Sequence, residues 1–522
     1  MADWTLDWNL VALEANRVSH SEKNGQQKGP TLSSRALAIV HLAMYDAYAA
    51  VRGNPANLPL YLPGLPTPPA GSTVRAAVGG AAYRTLTVLY SNQTAAFDAA
   101  LAQHGEVGNP GHGFGIAVAD ALLADRQGDP DASDAGYTPS SDRFRHRPDP
   151  DNPAQRFHAP YYGAKSKGFA ITARHGLDAP PKGDNEYNDA LRQVRAKGIM
   201  PELMGTLPDG FSVKKRTPEE TTIGIYWGYD GATGLGTPPR LYNQIVRRVA
   251  IARNNTEDQN ARLFALVNVA MADAGILAWD QKYLHDLWRP VVGIREHDRS
   301  FGPEPKEANN SISDDADPFW LPLGGPKSNI LNKKFFPDAP ANPPTNLSLA
   351  AETDASLATA EEEDPRKECE TCLSLNKNFT PNFPAYPSGH ATFGAAAFHI
   401  TRLFYGVKVG NRKPDDLFDG LDFISDELNG VMDGNVFVGT QDNHGVVRPL
   451  HRREFEDGLW QMIVENGLSR VYLGVHWVFD AFKVRNNGAI NTNRMLGGVP
   501  LGLKIAEDIY ASGMKKSPVG PR

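Results

Sequence analysis

The sequence predicts an all-α protein, and two observations carry that reading. Long stretches rich in alanine, leucine and valine repeat their apolar residues with helical period, and few runs alternate apolar and polar with the period of two that a strand shows. Segments dense in Pro, Gly, Asp and Ser separate the helical stretches. The 522 residues are enough for two or three average domains or one large helical body, and 41% hydrophobic with 22% charged content is ordinary for a globular chain.

Taken in order, residues 31–51 read as a long helix, with Ser33 and Ser34 expected at its cap and Gly53 at its stop. His41 and Asp46 on it read as satisfied core polar groups rather than ligands. Residues 73–103 and 114–125 are alanine-rich and helical by period. Residues 127–185, carrying Arg143, Arg145 and Arg147, read as a long surface excursion. Tyr226-Trp227-Gly228-Tyr229-Asp230 precedes a Gly/Pro turn, after which 240–252 and 258–289 read as helices. Asp230 reads either as a solvated turn residue or as a buried acid facing an active-site cation; its aromatic surroundings favour the second.

Residues 324–382 hold Pro/Asn-rich and Ala/Ser/Thr/Glu-rich segments and the acidic run Glu361-Glu362-Glu363-Asp364, which together read as a solvated insertion at the mouth of the site. Helices resume at 391–405, 421–431 and 452–470. The chain divides into an N-terminal helical half, 1–225, and a C-terminal helical half, 226–522.

Charge narrows the function. Fifty-three basic against 60 acidic residues give −7, with no basic stripe, which argues against nucleic acid. No run approaches the roughly 18 consecutive apolar residues of a membrane span, and Met1-Ala2-Asp3-Trp4 lacks the pattern of a signal peptide. Cys369 and Cys372 are the two cysteines; a pair cannot complete a four-ligand zinc site and reads as surface thiols or a local disulfide.

Three stretches carry chemistry. In Phe383-Pro384-Ala385-Tyr386-Pro387-Ser388-Gly389-His390, the prolines hold the entry extended and a helix-compatible run follows. Ser388, Gly389 and His390 therefore sit at a helix N-terminus, where free N–H groups favour an anion and His390 is a proton carrier beside it. An ordinary serine cap followed by a chance histidine fits this stretch alone equally well. In Trp279-Asp280-Gln281-Lys282-Tyr283-Leu284-His285-Asp286-Leu287-Trp288-Arg289-Pro290, the seven-residue spacing predicts Lys282 and Arg289 on one helix face, with Trp279 one turn earlier. Ser469-Arg470-Val471-Tyr472-Leu473-Gly474-Val475-His476 sets Arg470 and His476 among apolar residues. Three cations and two histidines in such settings are costly unless an anion neutralises them, and a tetrahedral oxyanion fits.

The order Lys-x6-Arg-Pro, Pro-Ser-Gly-His, Ser-Arg-x5-His resembles the signature of the vanadium haloperoxidase and PAP2-type acid phosphatase superfamily. The chain looks most like the vanadium chloroperoxidases. The similarity extends to Gly29-Pro30-Thr31-Leu32-Ser33-Ser34-Arg35-Ala36-Leu37, Tyr226-Trp227-Gly228-Tyr229-Asp230-Gly231, Asp317-Pro318-Phe319-Trp320-Leu321 and Gly497-Gly498-Val499-Pro500-Leu501-Gly502. The 324–382 link is longer than the fungal pattern.

That resemblance implies two four-helix bundles with long loops and one vanadate per subunit, held in the C-terminal bundle. Lys282, Arg289, Ser388, Gly389 and Arg470 would hold the vanadate oxygens, and His476 would supply the bond to the metal. His390 would be the acid/base, assisted by Lys282, and Asp230 would brace Arg470. Trp279 and Phe383 match the halide-pocket positions. The implied partners are hydrogen peroxide, chloride or bromide, and an organic halogen acceptor, with no nucleic acid and no membrane; a homo-oligomer and an extracellular location are compatible with it. Two other enzymatic readings use the same pocket: a PAP2-type acid phosphatase, with His476 as nucleophile and His390 as leaving-group acid, and a bromide-preferring haloperoxidase. A non-catalytic oxyanion-binding scaffold would not need both histidines.

Overall fold

Side-chain caps or a first-turn proline set most helix starts in the computed structural model, which describes residues 3–21, 24–229, 235–303, 315–324, 380–429, 432–433, 436–437, 451–485, 487–516 and 519–522. After α1 (Trp4–Ser21), α2 runs Gly29–Val51, with Pro30 in its first turn. Ser33 and Ser34 are not its cap. They lie inside the helix and donate to the carbonyls of Gln27 and Thr31 at 3.0 Å each, because the Gly-Pro pair starts the helix one turn earlier than the serines suggest. Gly53, at φ 82°, ends it as expected.

The stretch 73–103, helical by period, is divided at Tyr90 into α3 (Val74–Leu89), capped by Thr73, and α4 (Thr94–His104). Next come α5 (Pro110–Asp125), α6 (Tyr162–Lys165), α7 (Asn185–Lys197) and α8 (Pro218–Tyr226), then α9 (Pro238–Ala252), α10 (Glu257–His285) and α11 (Pro290–Arg295). The last four are α12 (Gly389–Phe404), α13 (Asp426–Asn429), α14 (Gly458–Tyr472) and α15 (Gly498–Ser512). Of the stretch 421–431 only α13 is helical among the described residues, and α14 starts six residues after position 452. The strands among the described residues are two short antiparallel ribbons, one pairing Lys483–Val484 with Ile490–Asn491.

Helices α2, α3 and α5 pack together, and α12 packs on α9, α10, α14 and α15. Helix α2 packs on α10 and so joins these two groups, and the buried apolar residues form one continuous core from Trp8 to Met514. Helix α10 is long and apolar enough to cross a bilayer, contrary to the reading of the sequence, but it is buried inside the protein and carries Asn268, Asp273 and Lys282, each with no exposed surface. Its apolar length is what lets it serve as the central helix.

The 127–185 excursion is packed structure over much of its length. Phe169, Ala170 and Ile171 are fully buried. Their backbone N–H groups donate to the Asp273 carboxylate at 2.7, 2.8 and 2.9 Å. Burial raises that carboxyl to about 6 while the three hydrogen bonds oppose the rise. On α2, His41 bonds the Leu37 carbonyl and Asn9, and Asp46 accepts from Tyr61 and Leu62, so both are satisfied core groups. Residues 325–379, with the cysteine pair and the acidic run, lie outside the described residues.

Candidate active site

Helix α10 ends at His285. Asp286 takes the left-handed conformation at φ 49°, and its N–H closes the last turn on the Lys282 carbonyl. Arg289 is consequently not two turns further along the same helix: it is the N-cap residue of α11. The expected shared helix face does not exist, yet the turn brings both cations to the same place. Lys282, fully buried, donates through Nζ to the carbonyls of Pro384 at 2.8 Å, Ala385 at 3.1 Å and Pro387 at 2.6 Å. The prolines keep this loop out of any ladder, which leaves its carbonyls for the ammonium. Arg289 donates through Nε to the Phe383 carbonyl at 2.9 Å and through Nη1 to the Val475 carbonyl at 2.8 Å and His476 Nε2 at 3.0 Å.

Helix α12 begins as the sequence predicts. Ser388 is its N-cap, accepting from Ala391 N at 3.4 Å. Accepting that bond leaves the hydroxyl proton to be donated elsewhere. The Ser388 N–H is itself bonded to the Asp480 carbonyl at 2.8 Å. The His390 carbonyl receives Asn466 Nδ2 at 2.8 Å and Tyr242 OH at 3.2 Å, so α9 and α14 both hold the first turn. His390 Nε2 lies 2.6 Å from the Gly228 carbonyl, which can only accept, so this nitrogen carries a hydrogen.

Arg470 lies in the last turn of α14, buried. Beyond it Gly474, at φ 75°, turns the chain so that His476 faces back toward Arg289. His476 Nδ1 lies 2.8 Å from Asp480 Oδ2, which also accepts from the Trp477 N–H at 3.0 Å. Arg289 can only donate, so His476 Nε2 is an acceptor and Nδ1 carries the proton toward Asp480. Burial holds His476 well below its ordinary range, and Arg289, Lys282 and Arg470 push the same way. The ring is thus neutral, with its Nε2 lone pair turned to the cations. Burial likewise depresses Lys282, with Arg289 adding to it and Asp480 opposing. The Asp480 carboxyl is raised by burial to about 7 against the pull of Lys282 and Arg289.

A cavity of about 340 Å³ opens onto this group. Trp279, Phe383, Gly389, His390, Arg470 and His476 line it, while Lys282, Arg289 and Ser388 form the layer behind. The Trp279 and Phe383 ring centroids are 4.8 Å apart, and Lys282 Nζ lies 5.6 and 5.0 Å from them. Asp230 lies outside the described residues.

The sequence reading missed Asp480, Asn466 and His158, another lining residue. Asp480 had a signal, the His-x3-Asp spacing that sets a carboxylate on a histidine's distal nitrogen. Asn466 and His158 had none, since only long-range packing brings them here.

The residues fit a tetrahedral oxyanion bonded to one imidazole. Three buried cations surround a helix N-terminus, where unpaired N–H groups add positive potential. A Cβ built on Gly389 would meet nothing nearer than the Trp279 ring at 3.5 Å, so packing does not demand the glycine. Among the described residues no three His, Cys, Asp or Glu side chains converge on a metal-sized site, so the bound group would be held by charge and one histidine nitrogen.

The family model described as the vanadium chloroperoxidase N-terminal domain matches residues 2–105, and that described as the VCPO second helical-bundle domain matches 262–341 and 347–493. The vanadium chloroperoxidase of Curvularia inaequalis is 34% identical over 624 aligned residues, covering 99% of this chain and 91% of that one. Among solved structures, a bacterial vanadium-dependent iodoperoxidase matches with TM-score 0.60 at 19% identity, covering 98% of this chain and 96% of its own. A holo-type bacterial vanadium-dependent chloroperoxidase matches with TM-score 0.55 at 13% identity, covering 95% of each chain. At these identities the two structures speak to a shared all-helical fold.

Proposed function

The chain belongs to the vanadium chloroperoxidase family, and from that premise we propose how its own residues carry out the family's reaction. It is a vanadium-dependent haloperoxidase, an oxidoreductase that uses hydrogen peroxide and halide with vanadate as cofactor. Vanadate, once bound, supplies a Lewis acid that activates hydrogen peroxide toward halide without changing its own oxidation state.

Lys282, Arg289 and Arg470 hold the cofactor's oxygens, with the Ser388 hydroxyl and the Gly389 N–H completing the cradle. His476 binds the metal through Nε2, and Asp480 orients and enriches that nitrogen from the far side of the ring. His390 moves the proton: forming hypohalous acid and water from peroxide and halide consumes one proton per turn, and His390 stands at the cavity wall to deliver it. Trp279 and Phe383 exclude water where the halide enters, which strengthens the field of the cations there and suits chloride as well as bromide. The acceptor is an organic molecule that meets the hypohalous acid, and further copies of the chain remain candidate partners. The chain divides at 225/226 into an N-terminal half and a site-carrying C-terminal half, and the family segment that carries the site motifs, from residue 262, falls within the second.

The observation that supports these roles best is the neutral His476, its Nε2 lone pair directed at Arg289 beside two more buried cations. The decisive assay is peroxide-dependent chlorination of monochlorodimedone with and without vanadate. Vanadate should restore activity and phosphate, of like shape and charge, should compete with it. Full activity in protein shown by elemental analysis to lack vanadium would sink the assignment.

A further inference from the structure

We propose that His158 is a halide-binding residue, donating its imidazole N–H to the halide ion between the Trp279 and Phe383 rings. The proposal rests on the reading of this cavity as the place of halide oxidation. His158 belongs to the 127–185 excursion, far in sequence from every motif, yet it lines the same cavity half-buried. Its ring lies edge-to-face on Trp279 at 5.8 Å between centroids and tilted on Phe383 at 6.2 Å. The three rings thus form three walls of one end of the cavity.

The backbone of residue 158 is fixed on every side. Its N–H donates to the Asn382 carbonyl at 3.0 Å. Its carbonyl receives Trp279 Nε1 at 3.2 Å and Tyr283 OH at 2.7 Å. These bonds have a second consequence. The indole N–H and the phenol O–H are spent on that carbonyl, so neither can meet an anion at the aromatic end. A halide leaving water for aromatic walls needs at least one donor there.

The His158 ring supplies it. Nε2 lies 2.9 Å from Thr31 Oγ1, whose hydroxyl has no other acceptor among the described residues. The hydroxyl therefore donates to Nε2, which leaves the proton on Nδ1. Nδ1 makes no hydrogen bond among the described residues, and it is not sealed off from the cavity. Gly29 makes room for the ring: at φ 78° a Cβ would fall 2.3 Å from His158 Cε1, so only glycine lets the imidazole occupy this position. Burial holds the ring at about 4, so it acts as a neutral donor near neutral pH. A neutral donor tightens the halide without pinning it as a full charge would, which matters for an ion that must be consumed.

The test uses His158→Gln, His158→Asn and His158→Phe in the vanadate-loaded enzyme. Gln keeps an amide near Nε2 and loses the Nδ1 donor; Asn places its amide near Nδ1. The bromide KM should rise about tenfold in His158→Gln and His158→Phe, the weight of one hydrogen bond to an ion, and stay within about threefold of wild type in His158→Asn. Across all three, kcat and the vanadate Kd should move by less than about threefold, a split that a merely structural role would not give. Unchanged bromide KM in His158→Gln and His158→Phe overturns the proposal. So does an equal rise in all three variants accompanied by a lower melting temperature. If the Phe variant does not fold, Gln, which keeps the Thr31 partner, carries the comparison. Bromide soaked into crystals of vanadate-free protein gives an independent readout: at a bromide concentration near the wild-type Kd, anomalous scattering should appear beside His158 in wild type and be several-fold weaker in His158→Gln. That readout separates the two ideas, because a wild type inactive with vanadate defeats the proposed function while the anomalous signal still reports where halide sits.

Discussion

Arg289 donates to His476 Nε2 at 3.0 Å while Asp480 accepts from Nδ1 at 2.8 Å. An imidazole held between an obligate donor and a carboxylate has one available tautomer, and its basic nitrogen faces the cations. Removing the carboxylate should therefore weaken vanadate without disturbing the cradle. Asp480→Ala is expected to lose about 10–100-fold in vanadate affinity and Asp480→Asn less, since its amide oxygen still accepts from Nδ1. His476→Ala should lose most affinity, whereas His390→Ala should keep appreciable binding and lose turnover. Vanadate titration beside steady-state rates reads this, and equal loss of binding in the two histidine variants would refute the division of roles.

Phe383 covers two of the cations: Lys282 Nζ and the Arg289 guanidinium each lie 5.0 Å from its ring centroid. Phe383→His replaces that apolar face with a polar, titratable one that admits water. Chlorination should fall more than bromination, lowering the ratio of kcat/KM for chloride over bromide by about threefold to thirtyfold, the range expected when cation–π contact and dryness are lost together. An unchanged ratio would mean that the aromatic wall does not set halide preference.

Gly394, one turn into α12, leaves room for Asn466, whose Nδ2 would sit 2.3 Å from an added Cβ. That amide holds the His390 carbonyl and Tyr242 OH. Glycine to alanine in a helix interior ordinarily stabilises by about 1 kcal/mol. Here the sign should reverse, and Gly394→Ala should destabilise by about 1–3 kcal/mol. Denaturant unfolding decides it, and a stabilised variant would show that Asn466 can move aside at no cost.

His41 is fully buried on α2 and burial holds it at about 4 against an ordinary 6.5. Between those values the unfolded chain binds a proton that the folded protein does not. The histidine's contribution is therefore complete above pH 6.5 and is lost as pH falls toward 4, by ~2 kcal/mol at pH 5. His41→Asn removes this titration. The stability difference between wild type and variant should shrink on acidification from pH 7 to pH 5, and a difference independent of pH in urea unfolding would show that His41 is not the group responsible.

What the sequence determined by itself was local. Period and composition placed α2, α5, α9, α10 and α12 within a few residues, and α14 with its start six residues early, because amphipathic spacing and capping act over one turn. Pro387 followed by Ser388 set the start of α12, and the order of the three motifs identified the anion site, since those residue types are costly to bury without an anion. Tertiary structure decided how the pieces meet. Asp286 in its left-handed turn takes Arg289 off α10, which a seven-residue spacing cannot reveal. Lys282 finds the Pro387 carbonyl 105 residues away, and Arg289 finds His476 at a separation of 187. His158 reaches the cavity from an excursion whose polar composition reads as solvent-facing, because its N–H meets the Asn382 carbonyl and its own carbonyl takes Trp279 Nε1 and Tyr283 OH. Contacts at such separations are chosen by complementarity between whole elements, and neither helical period nor cap chemistry carries that information.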